Sequence, residues 1–125
     1  MEKQRFMEKQ RFYYDKKFLG GKSGRPLRIL SEYLFPLDSF QKNNVDSTVV
    51  FFGSARIKDK NDTPINKYYK KAKDLAYIIT KWNLEKFDGK KFVVTSGAGP
   101  GIMEAANQGA NEAKGKTVGL GISLP

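Results

Sequence analysis

The spacing of apolar and polar positions changes period along the chain, and the changes mark out the elements. Residues 48–52, Thr-Val-Val-Phe-Phe, are a continuous apolar run of β-branched and aromatic types. A strand covered on both faces reads this way. After a polar loop at 57–63, the period shifts to that of a helix. Ile65, Tyr68, Ala72, Leu75, Ala76 and Ile79 recur at three- and four-residue spacing as far as Trp82, with Lys67, Lys70, Lys71, Lys73 and Asp74 over the rest of the surface. Thr63 is placed to cap this helix and Pro64 suits its first position. Residues 91–95 form a second buried strand. A helix follows from Ile102 to Lys114, with Gly115 as its stop. Its face of Ala106, Gly109, Ala110 and Ala113 is small enough to lie close on a sheet. Residues 117–122 alternate at period two and predict a third strand.

The order is strand–helix–strand–helix–strand. Short connections and right-handed crossovers turn that order into a three-stranded parallel sheet, the front half of a doubly wound α/β fold. Upstream, Leu27, Leu30, Leu34 and Leu37 share one helical face over Pro26–Phe35. Pro36 should end or bend that helix, which is expected on the outside of the main domain. Residues 13–25, with three glycines among lysines, read as a mobile leader. The first twelve residues are MEKQRF twice over. Six residues are too few for a structural repeat, and a replication slip or start-site artefact accounts for the duplication better. The organisation expected is a basic leader over 1–47 and an α/β domain over 48–125.

Composition narrows the chemistry. The 125 residues suffice for one modest domain, and 39% hydrophobic content with 9 Phe, 6 Tyr and 1 Trp supplies a core. No apolar run approaches the length of a membrane span. The N-terminus lacks the apolar stretch of a secretory signal. The absence of Cys removes disulfides and thiolate catalysis, and the absence of His removes an imidazole base. A cytoplasmic protein with no metal and no cofactor of its own is expected. The net charge is +10, yet residues 92–125 hold two bases and two acids. The positive charge therefore sits on the leader and the lysine-rich helix, where it reads as a solvated face that can also steer an anionic nucleotide.

The candidate chemistry lies in two bends. Gly97-Ala98-Gly99-Pro100-Gly101 joins a strand end to a helix start. There, backbone N–H groups and the helix dipole favour an anion or a polar sugar group. Gly53-Ser54-Ala55-Arg56 ends the first strand and opens on the same edge of the sheet. Ser54 can donate to a phosphate or ribose oxygen, and Arg56 can grip a phosphate or form a surface ion pair. Glu104, in the first turn of the helix, suits the dipole and would repel phosphate; in a site it would accept from ribose hydroxyls. Met103 packs against a base or against the core, and Asn107 caps nearby backbone or points outward. The glycine spacing is not the dinucleotide fingerprint, which needs G-x-G-x-x-G on the first strand. Gly115-Lys116-Thr117 is not a Walker loop, because Ala110 stands where its first glycine belongs.

Three stretches occur in one order: Val49–Arg56 ending Gly-Ser-Ala-Arg, Thr95–Ala110 reading TSGAGPGIMEAANQGA, and Thr117–Pro125 reading TVGLGISLP. Together they resemble the LOG family of nucleoside-monophosphate phosphoribohydrolases, over about residues 48–125. The resemblance implies a Rossmann-like fold, a homo-oligomer, and hydrolysis of the N-glycosidic bond of AMP or a cytokinin riboside monophosphate to free base and ribose 5-phosphate. It implies a nucleotide pocket lined by Gly53, Ser54, Arg56, Gly97, Ala98, Gly99, Gly101, Met103 and Glu104. Ala98 departs from the glycine usual in this loop. The family's P-G-G-x-G-T-x-x-E loop, with its catalytic Glu, and a partnering Arg both fall beyond residue 125, so no catalytic residue is carried over. The expectation is a truncated N-terminal fragment, inactive alone. Two rival readings are a non-enzymatic nucleotide or molybdenum-cofactor carrier and a nucleic-acid-binding module. The second is disfavoured because no aromatics interleave with bases around the glycine loop.

Overall fold

The computed structural model describes residues 11–124; the MEKQRF duplication falls largely outside them. The chain divides into two compact units, one ending at Phe40 and the other starting at Gln41.

The first unit is helical. Residues 13–25 carry short helical turns. Lys16–Gly20 forms a short helix (α1), because the Asp15 carboxylate accepts from the Lys17 and Phe18 amides. The Arg28 guanidinium then donates to the Leu19 and Gly21 carbonyls at 2.6 and 2.7 Å, satisfying acceptors that the end of α1 leaves open. Arg25–Lys42 is one helix (α2), with Pro36 inside it. Of the two outcomes expected, an end or a bend, the proline does not end the helix. It costs only the bond to the Glu32 carbonyl, and Glu32 is exposed, so water can take that acceptor.

The second unit is α/β. Its elements are β1 Thr48–Val50, α3 Lys67–Phe87, β2 Val93–Gly97, α4 Ile102–Glu112 and β3 Thr117–Leu120. The sheet is parallel in the order β1-β2-β3, with Val49 opposite Val94 and Thr95 opposite Val118. Successive right-handed crossovers in one direction put both helices on one face. There Ala76 of α3, Val94 of β2 and Ala106 and Ala110 of α4 form a fully buried cluster, flanked by Phe51 and Ile79. A second cluster joins Ile57, Tyr69 and Ala105. Lys73 and Glu112 bridge α3 to α4 at 2.7 Å, and this hydrogen bond holds the lysine pKa above its ordinary value. Among the described residues no helix is long and apolar enough to cross a membrane.

Several boundaries differ from the sequence expectation. The first strand stops at Val50, and it is not covered on both faces. Val50, on the edge strand, is 64% exposed, whereas its partner Thr95 on the central strand is 4% exposed. Strand β2 starts later than expected and takes in Ser96 and Gly97; β3 ends two residues early, at Leu120. Thr63 makes no capping bond, and a 3-10 turn at Pro64–Asn66 leads into α3. That helix runs past Trp82 to Phe87, where Asp88 closes it in the left-handed conformation. At the end of α4 the left-handed residue is Lys114, not Gly115. Gly115 is small for another reason: a Cβ there would run into Thr80 Cγ2.

The buried face of α3 is also rotated from the apolar stripe. Tyr69, Ala76, Thr80 and Asn83 are buried, while Ile65, Tyr68 and Leu75 are about half exposed. Hydropathy ranks side chains; the close approach of α4 decides which of them are enclosed. Thr80 Oγ1 and both side-chain polar atoms of Asn83 are buried with no hydrogen-bond partner among the described residues. An unpaired buried hydroxyl costs about 1–3 kcal/mol. The isosteric Thr80→Val is therefore expected to raise stability by about 1 kcal/mol. Thermal unfolding checks this, and a lower melting temperature would mean the hydroxyl is satisfied in solution.

Candidate functional site

In a parallel sheet all strands end on the same edge, so the loops leaving β1 and β2 are neighbours by topology. Side chains then lock them together. Ser96 Oγ donates to the Phe51 carbonyl at 2.7 Å. The Ile102 amide, at the start of α4, donates to the Ser54 carbonyl at 3.1 Å. Gly101 is buried at φ 76°, ψ −131°, a region essentially closed to other residues. A Cβ there would overlap the Ser54 carbonyl oxygen and lie 2.8 Å from Ala55 Cα. A Cβ at Gly53 would lie 2.7 Å from the Ile102 side chain. The two bends thus meet backbone to backbone as one continuous rim.

The nine residues singled out from sequence divide by role within this rim. Gly53 and Gly101 form the seam, with Ile102, which was not among the nine, packed across it. Ser54 Oγ accepts from the Arg56 amide at 3.1 Å, which leaves its own proton available for donation. Arg56 is exposed and makes no ion pair among the described residues. Met103 turns under the glycine loop: a Cβ on Gly97 would lie 2.5 Å from its Sδ, and one on Gly99 2.7 Å from its Cε. It is the floor of the loop, and packing occupies its side chain. Ala98 is exposed, with its amide bonded to the Leu120 carbonyl at 3.2 Å. The first bond within α4 runs from the Ala105 amide to the Gly101 carbonyl at 3.0 Å, so the Met103 and Glu104 amides are open to an external acceptor.

Two clefts flank the start of α4. One, of about 440 Å³, lies between that helix and the β1–α3 connection, with Ala55, Lys58, Lys60, Tyr69 and Gly101 in its walls. The other, of about 400 Å³, includes Ala98, Gly99, Asn107 and Gly119. Both volumes fall in the range of small-molecule sites. Glu104 and Gln108 belong to both clefts and form the ridge between them.

Sequence reasoning missed Tyr69, Gln108, Lys58 and Lys60. Tyr69 and Gln108 are 39 positions apart and share no motif, so only packing brings them together; the lysines were indistinguishable from other surface charge. Tyr69 is 3% exposed, and its hydroxyl donates to Gln108 Oε1 at 3.2 Å. Burial, with the negative charges of Glu104 and Asp59 nearby, holds the phenol pKa above its ordinary value. Asn107, left open between capping and pointing outward, caps: Nδ2 donates to the Gly97 carbonyl at 3.2 Å, and Oδ1 accepts from Thr117 Oγ1 at 2.7 Å. That pair ties the ends of β2 and β3 to α4. Among the described residues no three carboxylates gather as a metal site would require. No protein-family model and no curated protein matches the chain.

Proposed function

We propose that the second unit is a Rossmann-like wall of a nucleotide site, and that its ligand is a nucleoside 5′-monophosphate such as AMP or a cytokinin riboside monophosphate. The reading follows the LOG-type phosphoribohydrolases that the motifs resemble, which are cytoplasmic homo-oligomers hydrolysing the N-glycosidic bond. The observation that carries it is the seam at Gly101, where the glycine loop lies on the Ser54–Ala55 backbone. That contact brings the start of α4, with its open Met103 and Glu104 amides, against the bend that carries Ser54 and the exposed Arg56. Backbone donors, a hydroxyl and a guanidinium suit a phosphate ester.

The chemical step is assigned to none of these residues. N-glycoside cleavage passes through an oxocarbenium-like state and needs a placed carboxylate with an activated water. Glu104 sits in the first turn of a helix, hydrogen-bonded to Gln108, and is assigned to binding. Titration of the chain with AMP, followed by backbone amide resonances, tests the proposal. Shifts are expected at residues 53–56 and 97–104, with binding that weakens as salt rises. AMP that perturbs neither bend at millimolar concentration would remove the proposal. Release of adenine by the chain alone would overturn the assignment of the rim to binding only.

A further inference from the structure

We propose that Tyr69 and Gln108 are positioning residues that hold the Glu104 carboxylate as the acceptor for the 2′- and 3′-hydroxyls of a ribose, so that the site prefers ribonucleotides to 2′-deoxyribonucleotides. This rests on the nucleotide reading above and specifies which part of the ligand faces the ridge between the two clefts.

The argument begins with the buried end of the chain of bonds. Tyr69 is fixed by packing against Ile57 and Ala105, and its hydroxyl has one proton to give. It gives that proton to Gln108 Oε1 at 3.2 Å, which defines the amide orientation. Gln108 Nε2 must then point toward Glu104, and it donates to Glu104 Oε1 at 3.2 Å. The exposed end of the relay is a carboxylate with one oxygen engaged and its Oε2 without a partner among the described residues.

An ionised carboxylate only accepts hydrogen bonds, and vicinal hydroxyls are donors of matching spacing. A phosphate offers no proton at neutral pH and would be repelled. The cleft separates these preferences. Glu104 stands on the α4 wall, while Lys58 and Lys60 stand on the opposite loop with Asp59 between them. A carboxylate on an ordinary exposed helix turn samples several rotamers, and each rotamer lost on binding lowers affinity. The relay from buried Tyr69 removes that freedom in advance.

Calorimetric titration of the full chain with AMP, 2′-deoxy-AMP and 3′-deoxy-AMP, in wild type, Tyr69→Phe, Gln108→Leu and Glu104→Ala, tests the inference. Wild type should bind AMP about tenfold tighter than 2′-deoxy-AMP, the scale of one hydrogen bond to a charged group. Glu104→Ala should abolish that ratio, and Tyr69→Phe and Gln108→Leu should each lower it to about threefold or less. A purely structural role would weaken the three ligands equally, so an unchanged ratio in a folded variant overturns the relay. Gln108→Leu, at a partly buried position, keeps the test decisive if Tyr69→Phe fails to fold. A wild-type ratio of one overturns the ribose assignment while leaving AMP binding intact. No AMP binding at all overturns the nucleotide reading and this inference with it.

Discussion

Gly109→Ala is expected to destabilise the second unit by about 2 kcal/mol or more, a large share of what a small domain holds, against the direction that helix propensity alone would give. Exchanging glycine for alanine inside a helix normally stabilises it by about 1 kcal/mol. Here the added methyl would run into the Lys73 carbonyl oxygen of the facing helix, 3.0 Å from the carbonyl carbon and 3.1 Å from Ala76 Cβ. Two of the three obstacles are backbone atoms, which cannot rotate away. Relief requires α3 and α4 to move apart, opening the buried cluster of Ala76, Val94, Ala106 and Ala110. Overpacking of this kind costs about 3 kcal/mol or more, so the net loss is about 2 kcal/mol at least. A small domain holds only about 5 kcal/mol in reserve. Urea titration followed by far-ultraviolet circular dichroism measures the change. A midpoint at or above that of wild type would show that the two helices are not in contact at this position.

Gly101→Ala should be the most damaging single change to the rim itself. Two effects add. The residue would have to hold φ 76°, ψ −131°, at a cost of about 1–3 kcal/mol for a side chain other than hydrogen. Its methyl would also overlap the Ser54 carbonyl oxygen, the acceptor of the Ile102 amide. The loop must lift, breaking that bond and separating the two bends. For the nucleotide site proposed above, AMP affinity is expected to fall at least tenfold, since the start of α4 is no longer held against the bend that carries Ser54 and Arg56. Stability should fall by about 3 kcal/mol, the sum of the strain and the lost bond. The measurements are AMP titration and thermal unfolding on the same preparation. Wild-type affinity in this variant would show that the seam is not the ligand site.

These two glycines differ in how far the sequence exposed their roles. Gly101 lies in a glycine-rich bend between a β-branched run and a helical pattern, so a tight turn there was legible, as was its position on the same sheet edge as Gly53. Gly109 was legible only as one of a run of small residues. Its actual obstacle is the Lys73 carbonyl, 36 positions away in sequence.

The same division holds for the whole chain. Local periodicity and turn chemistry determined the element order, the parallel sheet, the small face of α4 and the adjacency of the two bends. Those depend on interactions among residues a few positions apart, or on the handedness of crossovers, which is general. The tertiary structure decided which face of α3 is enclosed, why Val50 stays exposed on an edge, that α2 continues through Pro36, and that Tyr69 reaches Glu104 through Gln108. Each depends on what stands opposite a residue in space. Hydropathy cannot report that, because a tyrosine or a threonine is buried or exposed according to how closely the neighbouring backbone approaches it.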